Sequence, residues 1–204
     1  MSRSDRRTHS LGAAVVVFLS ITLAACRAGG GTPIGSESAS ASTPASTTSA
    51  GPSASASESL GAFSCSLPVS GAATVDRAQI TDIRVAAHDG YDRIVFEFAA
   101  GLPEFTIAAA APPFTLDPSG LPLDVGGSAF LSLVMHGGTT VTPDGMLTYS
   151  GPTDFKPALP MVVELVEAGD FEAVSSWYVG LTAGPCIRVL TLADPSRLVI
   201  DIEH

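Results

Sequence analysis

Lysine is almost absent from this chain: one lysine stands against nine arginines among 204 residues, while aspartate and glutamate together number twenty. The formal net charge is therefore −10 at pH 7. This acidity argues against nucleic-acid binding, and against electrostatic capture of anionic wall polymers or lipid head groups. We expect no nucleic-acid partner.

Motifs for several common chemistries are also missing. The sequence contains no G-x-S-x-G, no H-x-x-x-H or H-x-x-E, and no D-x-D-x-D-G loop. Gly126-Gly127 lacks the later glycine and the lysine of a phosphate-binding loop. We therefore predict no metal, no cofactor and no catalytic residue. A hydrolase that uses an Asp/Glu pair stays open as an alternative, because the fold sets the distance between two carboxylates.

Long apolar runs are limited to residues 11–25, which follow a basic start with Arg3, Arg6 and Arg7. Fifteen helical residues span roughly 22 Å, short of the ~30 Å hydrocarbon core, which is typical of a signal peptide. The run ends in Leu23-Ala24-Ala25-Cys26, which resembles the lipobox of bacterial lipoproteins. The resemblance implies cleavage after residue 25 and lipidation (palmitate) at Cys26. The alternative is an ordinary secretory signal with a chance cysteine.

Sizeable apolar side chains are nearly absent from residues 26–62, which are rich in Ser, Ala, Thr, Gly and Pro. Such a segment cannot bury enough surface to offset its ordering entropy, so we predict a disordered linker. Its r.m.s. reach would be ~30–36 Å. With a lipid on Cys26, the protein would be extracytoplasmic and anchored to the outer face of the cell membrane.

Cysteine is scarce, with three in the chain. Beyond Cys26, the remaining pair is Cys65 and Cys186, near the two ends of the expected folded region. Outside the cytoplasm such a pair predicts a disulfide. Two buried thiols are the alternative.

Residues 63–204 have strand-like patterning nearly throughout, and we expect them to form one domain. Turn signals such as Asp-Pro-Ser-Gly, Pro-Asp-Gly and Gly-Pro separate the segments. The pattern predicts an all-β sandwich or partly open barrel of about eight or nine short strands. The expected strands are 80–87, 93–98, 104–109, 121–125, 129–136, 161–168, 171–179, 186–192 and 197–202, with a long surface loop at 142–160.

Polar residues gather in the stretch HDGYDRIVFEF, residues 88–98. Alternating strands flank His88-Asp89-Gly90-Tyr91-Asp92, and a loop of this size with Asp-Gly is a common hairpin connection. Gly90 would supply a positive φ, and Asp89 would bond turn amides. Asp92 and Arg93 would point to opposite faces of their strand, so each needs a partner elsewhere.

The C-terminal stretch DPSRLVID, with Asp194-Pro195, Arg197 and Asp201, resembles the ending of the AMIN module. HDGYDRIVFEF also resembles the N-terminal motif of AMIN-like domains found on actinobacterial lipoproteins. Gly169-Asp170-Phe171-Glu172 and Tyr178-Val179-Gly180-Leu181 extend the resemblance over about residues 78–204.

The resemblance implies a noncatalytic β-sandwich that localises envelope proteins by contacting peptidoglycan or another cell-wall component. AMIN modules usually precede an amidase or a secretin. No such domain follows residue 204 in this sequence, so we expect the module itself to be the functional unit.

A ligand-binding face would use aromatic rings to stack on sugars and arginine forks to hold a stem-peptide carboxylate. The candidates are Tyr91, Arg93, Trp177, Tyr178 and Arg197. One of the adjacent Trp177 and Tyr178 should face outward. The alternative gives both arginines ion pairs to Asp92, Asp194 or Asp201, and gives Trp177 a place in the core. An accessory subunit that binds an envelope protein through a sheet edge is the third functional hypothesis.

Overall fold

The computed structural model describes residues 60–204, which are all-β. The predicted signal peptide at 1–25, Cys26 and nearly all of the 26–62 linker lie outside these residues. Within 60–204 there is no helix with the length and apolar character needed to cross a membrane.

Thirteen strands, numbered in chain order, form the described part. Eight have seven or more residues: β2 (Ala78–His88), β3 (Tyr91–Phe98), β4 (Glu104–Ala110), β7 (Ala129–His136), β10 (Val162–Phe171), β11 (Val174–Leu181), β12 (Ile187–Ala193) and β13 (Ser196–Glu203). Five have two or three residues: β1 (Val69–Gly71), β5 (Phe114–Thr115), β6 (Pro122–Leu123), β8 (Gly138–Thr139) and β9 (Asp154–Phe155). The prediction of an all-β fold is confirmed. The strand count is higher than the predicted eight or nine, because β1, β5, β8 and β9 are pairings of two or three residues that were not predicted.

The strands form two main sheets. One has six strands in the order β1-β4-β7-β11-β10-β9, and the other has five in the order β12-β13-β3-β2-β8. Strands β5 and β6 form a separate ribbon. Neighbours pair antiparallel except β2 and β8. The fold is therefore a sandwich of two mainly antiparallel sheets.

The core fills the space between the two sheets. Alternation along each long strand sends one set of side chains inward. Ile94, Phe96 and Ile200 come from the five-stranded sheet, and Leu133 and Trp177 come from the six-stranded sheet. Phe96 meets Trp177 edge to face, with ring centroids 5.4 Å apart. The alternate side chains of each long strand lie on the two outer faces of the sandwich.

Two predicted strands differ from the observed ones. The segment 121–125 pairs only at Pro122–Leu123, because Pro122 lacks an N–H and glycines follow at 126 and 127. The segment 171–179 is not one strand: Phe171 ends β10 and β11 begins at Val174, because Glu172 and Ala173 form the β10–β11 turn with φ of 51° and 59°. Positive φ at both central residues is typical of a tight two-residue hairpin.

Candidate functional site

Four of the six basic residues within 60–204 lie on the outer face of the five-stranded sheet. Inward residues such as Ile94 and Ile200 alternate there with outward ones. We call this outer surface the arginine face; its arginines are Arg84 on β2, Arg93 on β3, Arg188 on β12 and Arg197 on β13. Strand register brings Arg188, Asp201 and Arg93 into one row across three strands.

Asp201 lies at the centre of that row and is fully buried. Arg93 donates from Nε to Oδ1 at 2.6 Å and from Nη2 to Oδ2 at 3.0 Å. Arg188 donates from Nε and Nη2 to Oδ2 at 2.9 and 2.5 Å. The bond to Asp201 raises the pKa of the Arg93 guanidinium. Arg93 thus forms the ion pair that the sequence offered as an alternative, with Asp201 as its partner. Arg188 is a second arginine on the same carboxylate, and the sequence did not indicate it.

Tyr91 lies beside this row and is enclosed by its neighbours. The His88 ring stacks on it at 4.9 Å with an interplanar angle of 9°. The guanidinium carbons of Arg93 and Arg188 lie 5.2 and 5.0 Å from its centroid. Cation–π contacts of this kind hold an arginine in place. Tyr91 therefore positions the two arginines, and its ring faces are in large part already covered.

The segment before β1 covers one end of the β12 edge of the arginine face, at Ile187. Phe63 lies against Arg188, with the guanidinium carbon 4.4 Å from the ring centroid. The backbone of Ser64 pairs with that of Ile187. Cys65 and Cys186 form the predicted disulfide. Neither Phe63 nor Arg188 was a sequence candidate, because only the register of β12 and this cross-link bring them to the site.

A shallow depression of about 200 Å³ lies on the same face. Its apolar floor is Ala86 and Val95, and its remaining lining is basic: Arg84, His88, Arg93 and Arg197. Arg84 is held by Asp82 and by Glu97, the latter at 2.8 Å from Nη2. The hydrogen bond to Glu97 raises the pKa of the Arg84 guanidinium. Arg197 makes no ion pair with any residue of 60–204, so the predicted alternative of an acidic partner is wrong for this arginine.

Asp92 points away from the arginine face, as the alternation predicts. It is fully buried, and its Oδ2 accepts hydrogen bonds from the backbone N–H groups of Met161 at 2.7 Å and Val162 at 2.8 Å. Its Oδ1 has no hydrogen-bond partner within residues 60–204 and lies 3.6 Å from His204 Nε2. Asp92 thus links β3 in one sheet to the start of β10 in the other.

The hairpin around Gly90 has the predicted form, with a shorter turn. His88 pairs with Tyr91, so Asp89 and Gly90 alone form the connection, and Gly90 has φ of 81°. At the other end of the sheet, Asp194 and Pro195 form the β12–β13 turn. Ser196 Oγ donates to the Ala193 carbonyl at 3.3 Å across this turn.

Trp177 and Tyr178 do not join the other candidates. Trp177 is 1% exposed, and its Nε1 donates to Ser175 Oγ at 2.8 Å. The prediction that Trp177 is a ligand-binding residue is therefore wrong, because the side chain is buried in the core. Tyr178 points outward, but from the six-stranded sheet, where its ring contacts Phe114 at 4.6 Å. Among the five candidates, Tyr91, Arg93 and Arg197 therefore share the arginine face, and Arg93 and Arg197 line the same depression.

Acidic and histidine side chains within residues 60–204 form no group of three or more that could hold a metal ion. The buried Glu164 accepts from the Gly126 N–H at 2.6 Å, and the half-buried Asp170 accepts from Thr139 and Thr140. Burial, together with the nearby Asp170 charge, raises the pKa of Glu167.

Comparison with known proteins gives one positive result. The family model of the AMIN-like domain matches residues 78–204, from the first residue of β2 to the last residue of β13 and His204. Searches of curated proteins and of solved structures found no significant match. The matched range contains every arginine of the arginine face, both strands of the Gly90 hairpin and the Asp194-Pro195 turn. The chain therefore belongs to the AMIN-like domain family.

Proposed function

We propose that this protein is a membrane-anchored, noncatalytic cell-envelope module that binds peptidoglycan through the arginine face. AMIN-like domains are associated with the cell envelope, which supports an extracytoplasmic wall component as ligand. The observation that carries the proposal for this face is its charge.

Residues 60–204 contain six basic and seventeen acidic side chains. The arginine face has four of the basic ones, and its strands direct four acids outward: Asp82, Glu97, Asp201 and Glu203. That face is balanced in charge, whereas the rest of the domain is strongly acidic. A carboxylate on the ligand would be repelled least at the arginine face, and free guanidinium N–H groups there can bond it.

Retention on insoluble peptidoglycan tests this proposal. The purified full chain should sediment with wall material, and Arg197→Gln should lose most of that retention. Arg77→Gln is the matched control, because Arg77 is exposed and outside the arginine face. Equal retention of both variants would contradict a role for this face.

The same incubation examines the hydrolase alternative. The four cavities described within residues 60–204 each contain at most one carboxylate, so they offer no Asp/Glu pair for glycosidic cleavage. Soluble muropeptides or free glycan ends released by the wild-type protein would show that the noncatalytic proposal is wrong.

The sheet-edge alternative has a specific observation in its favour. Among the described residues, β12 pairs with β13 on one side, and on the other only Ile187 is covered, by Ser64. The remainder of this seven-residue strand is an open edge that could accept a partner strand. Retention on a partner protein, abolished by Val189→Pro but not by Arg197→Gln, would favour this function over wall binding.

The membrane anchor rests on the basic start, the apolar run at 11–25 and the Leu23-Ala24-Ala25-Cys26 box. Metabolic labelling with a fatty acid should mark the wild-type chain and fail for Cys26→Ser. Label that persists in the variant would refute lipidation at this cysteine.

A further inference from the structure

We propose that the depression on the arginine face binds a free carboxylate next to a small apolar side chain, as at the end of a wall stem peptide. This inference rests on the proposed function and names the part of the wall polymer that the face would recognise. Three properties of the depression support it: available donors, an apolar floor and a small volume.

The donors come from two guanidinium groups. Arg197 uses only Nε, which donates to the Pro195 carbonyl at 3.3 Å, and both of its terminal nitrogens are without a partner among residues 60–204. Arg93 gives Nε and Nη2 to Asp201, which leaves its Nη1. Paired guanidinium N–H groups match the two oxygens of a carboxylate, and the bonds are charge-assisted.

The surrounding acids restrict what can bind. Asp82, Glu97 and Asp201 already neutralise Arg84 and Arg93 in large part, and none of them lines the depression. A polyanion would approach these acids as well as the arginines and would gain little. A single carboxylate aimed at Arg197 gains the free guanidinium, and the one acid directly across the strand pair, Glu97, is already paired with Arg84.

The floor and the volume select the rest of the ligand. Val95 faces outward but is 9% exposed, because the arginine side chains cover it, and Ala86 lies beside it on β2. A methyl group placed there would contact carbon atoms. The depression encloses about 200 Å³, less than the ~300–1,000 Å³ of typical ligand pockets, so it suits a terminal group and not a whole disaccharide.

The probe for this inference is N-acetyl-D-alanyl-D-alanine, titrated into the full chain and followed by amide chemical shifts. Its carboxamide should not bind measurably, and the D-alanyl-glycine analogue should bind roughly fourfold more weakly for the loss of one buried methyl. Arg197→Gln should weaken binding of the acid by roughly tenfold or more, while Arg77→Gln leaves it unchanged. Binding should also weaken as salt is raised.

Three outcomes overturn the inference: the acid does not bind, the acid and its amide bind equally, or Arg197→Gln binds the acid as tightly as Arg77→Gln does. Wall retention, measured on the same proteins, separates this inference from the proposed function. Retention without dipeptide binding overturns the carboxylate site alone and leaves another wall group as ligand. If the wild-type protein is not retained on the wall, the proposed function is wrong. The dipeptide titration then still decides whether the depression is a carboxylate site.

Discussion

The two outer faces of this sandwich are built from the same kind of strand but carry opposite chemistry. On the five-stranded sheet, ion pairs and ring contacts connect Arg93 and Arg188 to the buried Asp201 and to Tyr91. Arg84 and Arg197 lie on the same face outside that network. On the six-stranded sheet, three successive rows across β4, β7 and β11 contain no charged side chain: Thr106–Val134–Ser176, Ala108–Ser132–Tyr178 and Ala110–Phe130–Gly180.

The two faces differ in how strongly their side chains fix one another in position. Small neutral side chains such as Ala108 and Ser132 need no partners and fix no neighbour in place. On the arginine face, by contrast, a buried carboxylate is compensated only by the two guanidiniums that cover it, so their positions are fixed together. Arg93 and Arg188 are thus held in one geometry by Asp201, whereas both terminal nitrogens of Arg197 are without a partner among residues 60–204.

The largest expected effect concerns the cross-link at the edge of the arginine face. The disulfide joins residues 121 positions apart, and replacing both cysteines with serine should lower the free energy of unfolding by about 4–5 kcal/mol in the chain-entropy model. Urea unfolding of the Cys65→Ser/Cys186→Ser variant measures it, with reduced wild type as control. A loss below about 1 kcal/mol would show that the edge holds without the bond.

Removing the central carboxylate compares the two faces directly. Asp201→Asn leaves Arg93 and Arg188 charged and without a counter-ion, and should cost about 3 kcal/mol in urea unfolding. The control on the other face is Ser132→Ala, which should change stability by less than about 0.5 kcal/mol. Similar losses for the two variants would remove the contrast between the faces.

Substitution of Asp92 tests whether a residue of β3 can affect the free energy of unfolding without affecting wall retention. Asp92→Asn weakens the charge-assisted bonds from the N–H groups of Met161 and Val162, and should cost about 2 kcal/mol. Because Asp92 points inward, wall retention of the folded variant should equal that of wild type. Reduced retention at a temperature where the variant is fully folded would show that the core and the arginine face are coupled.

The smallest effect is expected on the six-stranded side, at Glu167. Burial and Asp170 raise its pKa above the ordinary value of 4.5. The folded state therefore binds this proton more tightly, and stability falls as pH rises from about 4.5 through the folded pKa. Glu167→Gln should raise the melting temperature slightly at pH 8 and leave it unchanged near pH 4. A variant that is less stable at pH 8 would show that the carboxylate makes a favourable contact.

Local pattern was sufficient for much of the fold. Alternation predicted the long strands around Ile83, Phe96 and Leu133, and Asp89-Gly90 predicted the hairpin, because both signals depend on neighbours in sequence. The β10–β11 turn was missed because Glu172-Ala173 has none of the residues that usually take positive φ. Its conformation follows from the pairing of the two strands.

The site was predictable only in part, for a related reason. The opposite orientations of Asp92 and Arg93 follow from the strand period, but their partners do not. Asp201 and the Met161 N–H are 108 and 69 residues away, and they meet Arg93 and Asp92 only through sheet order and register. Arg188 and Phe63 carried no signal in their own segments.

The central claim, that the arginine face is the ligand face, is tested most directly by mapping amide chemical shifts as a soluble muropeptide is added to the full chain. We expect the perturbed amides to cluster on β2, β3 and β13 around Arg84, Arg93 and Arg197. Perturbations confined to β4, β7 and β11, or to the β5–β6 ribbon near Tyr178, would contradict it.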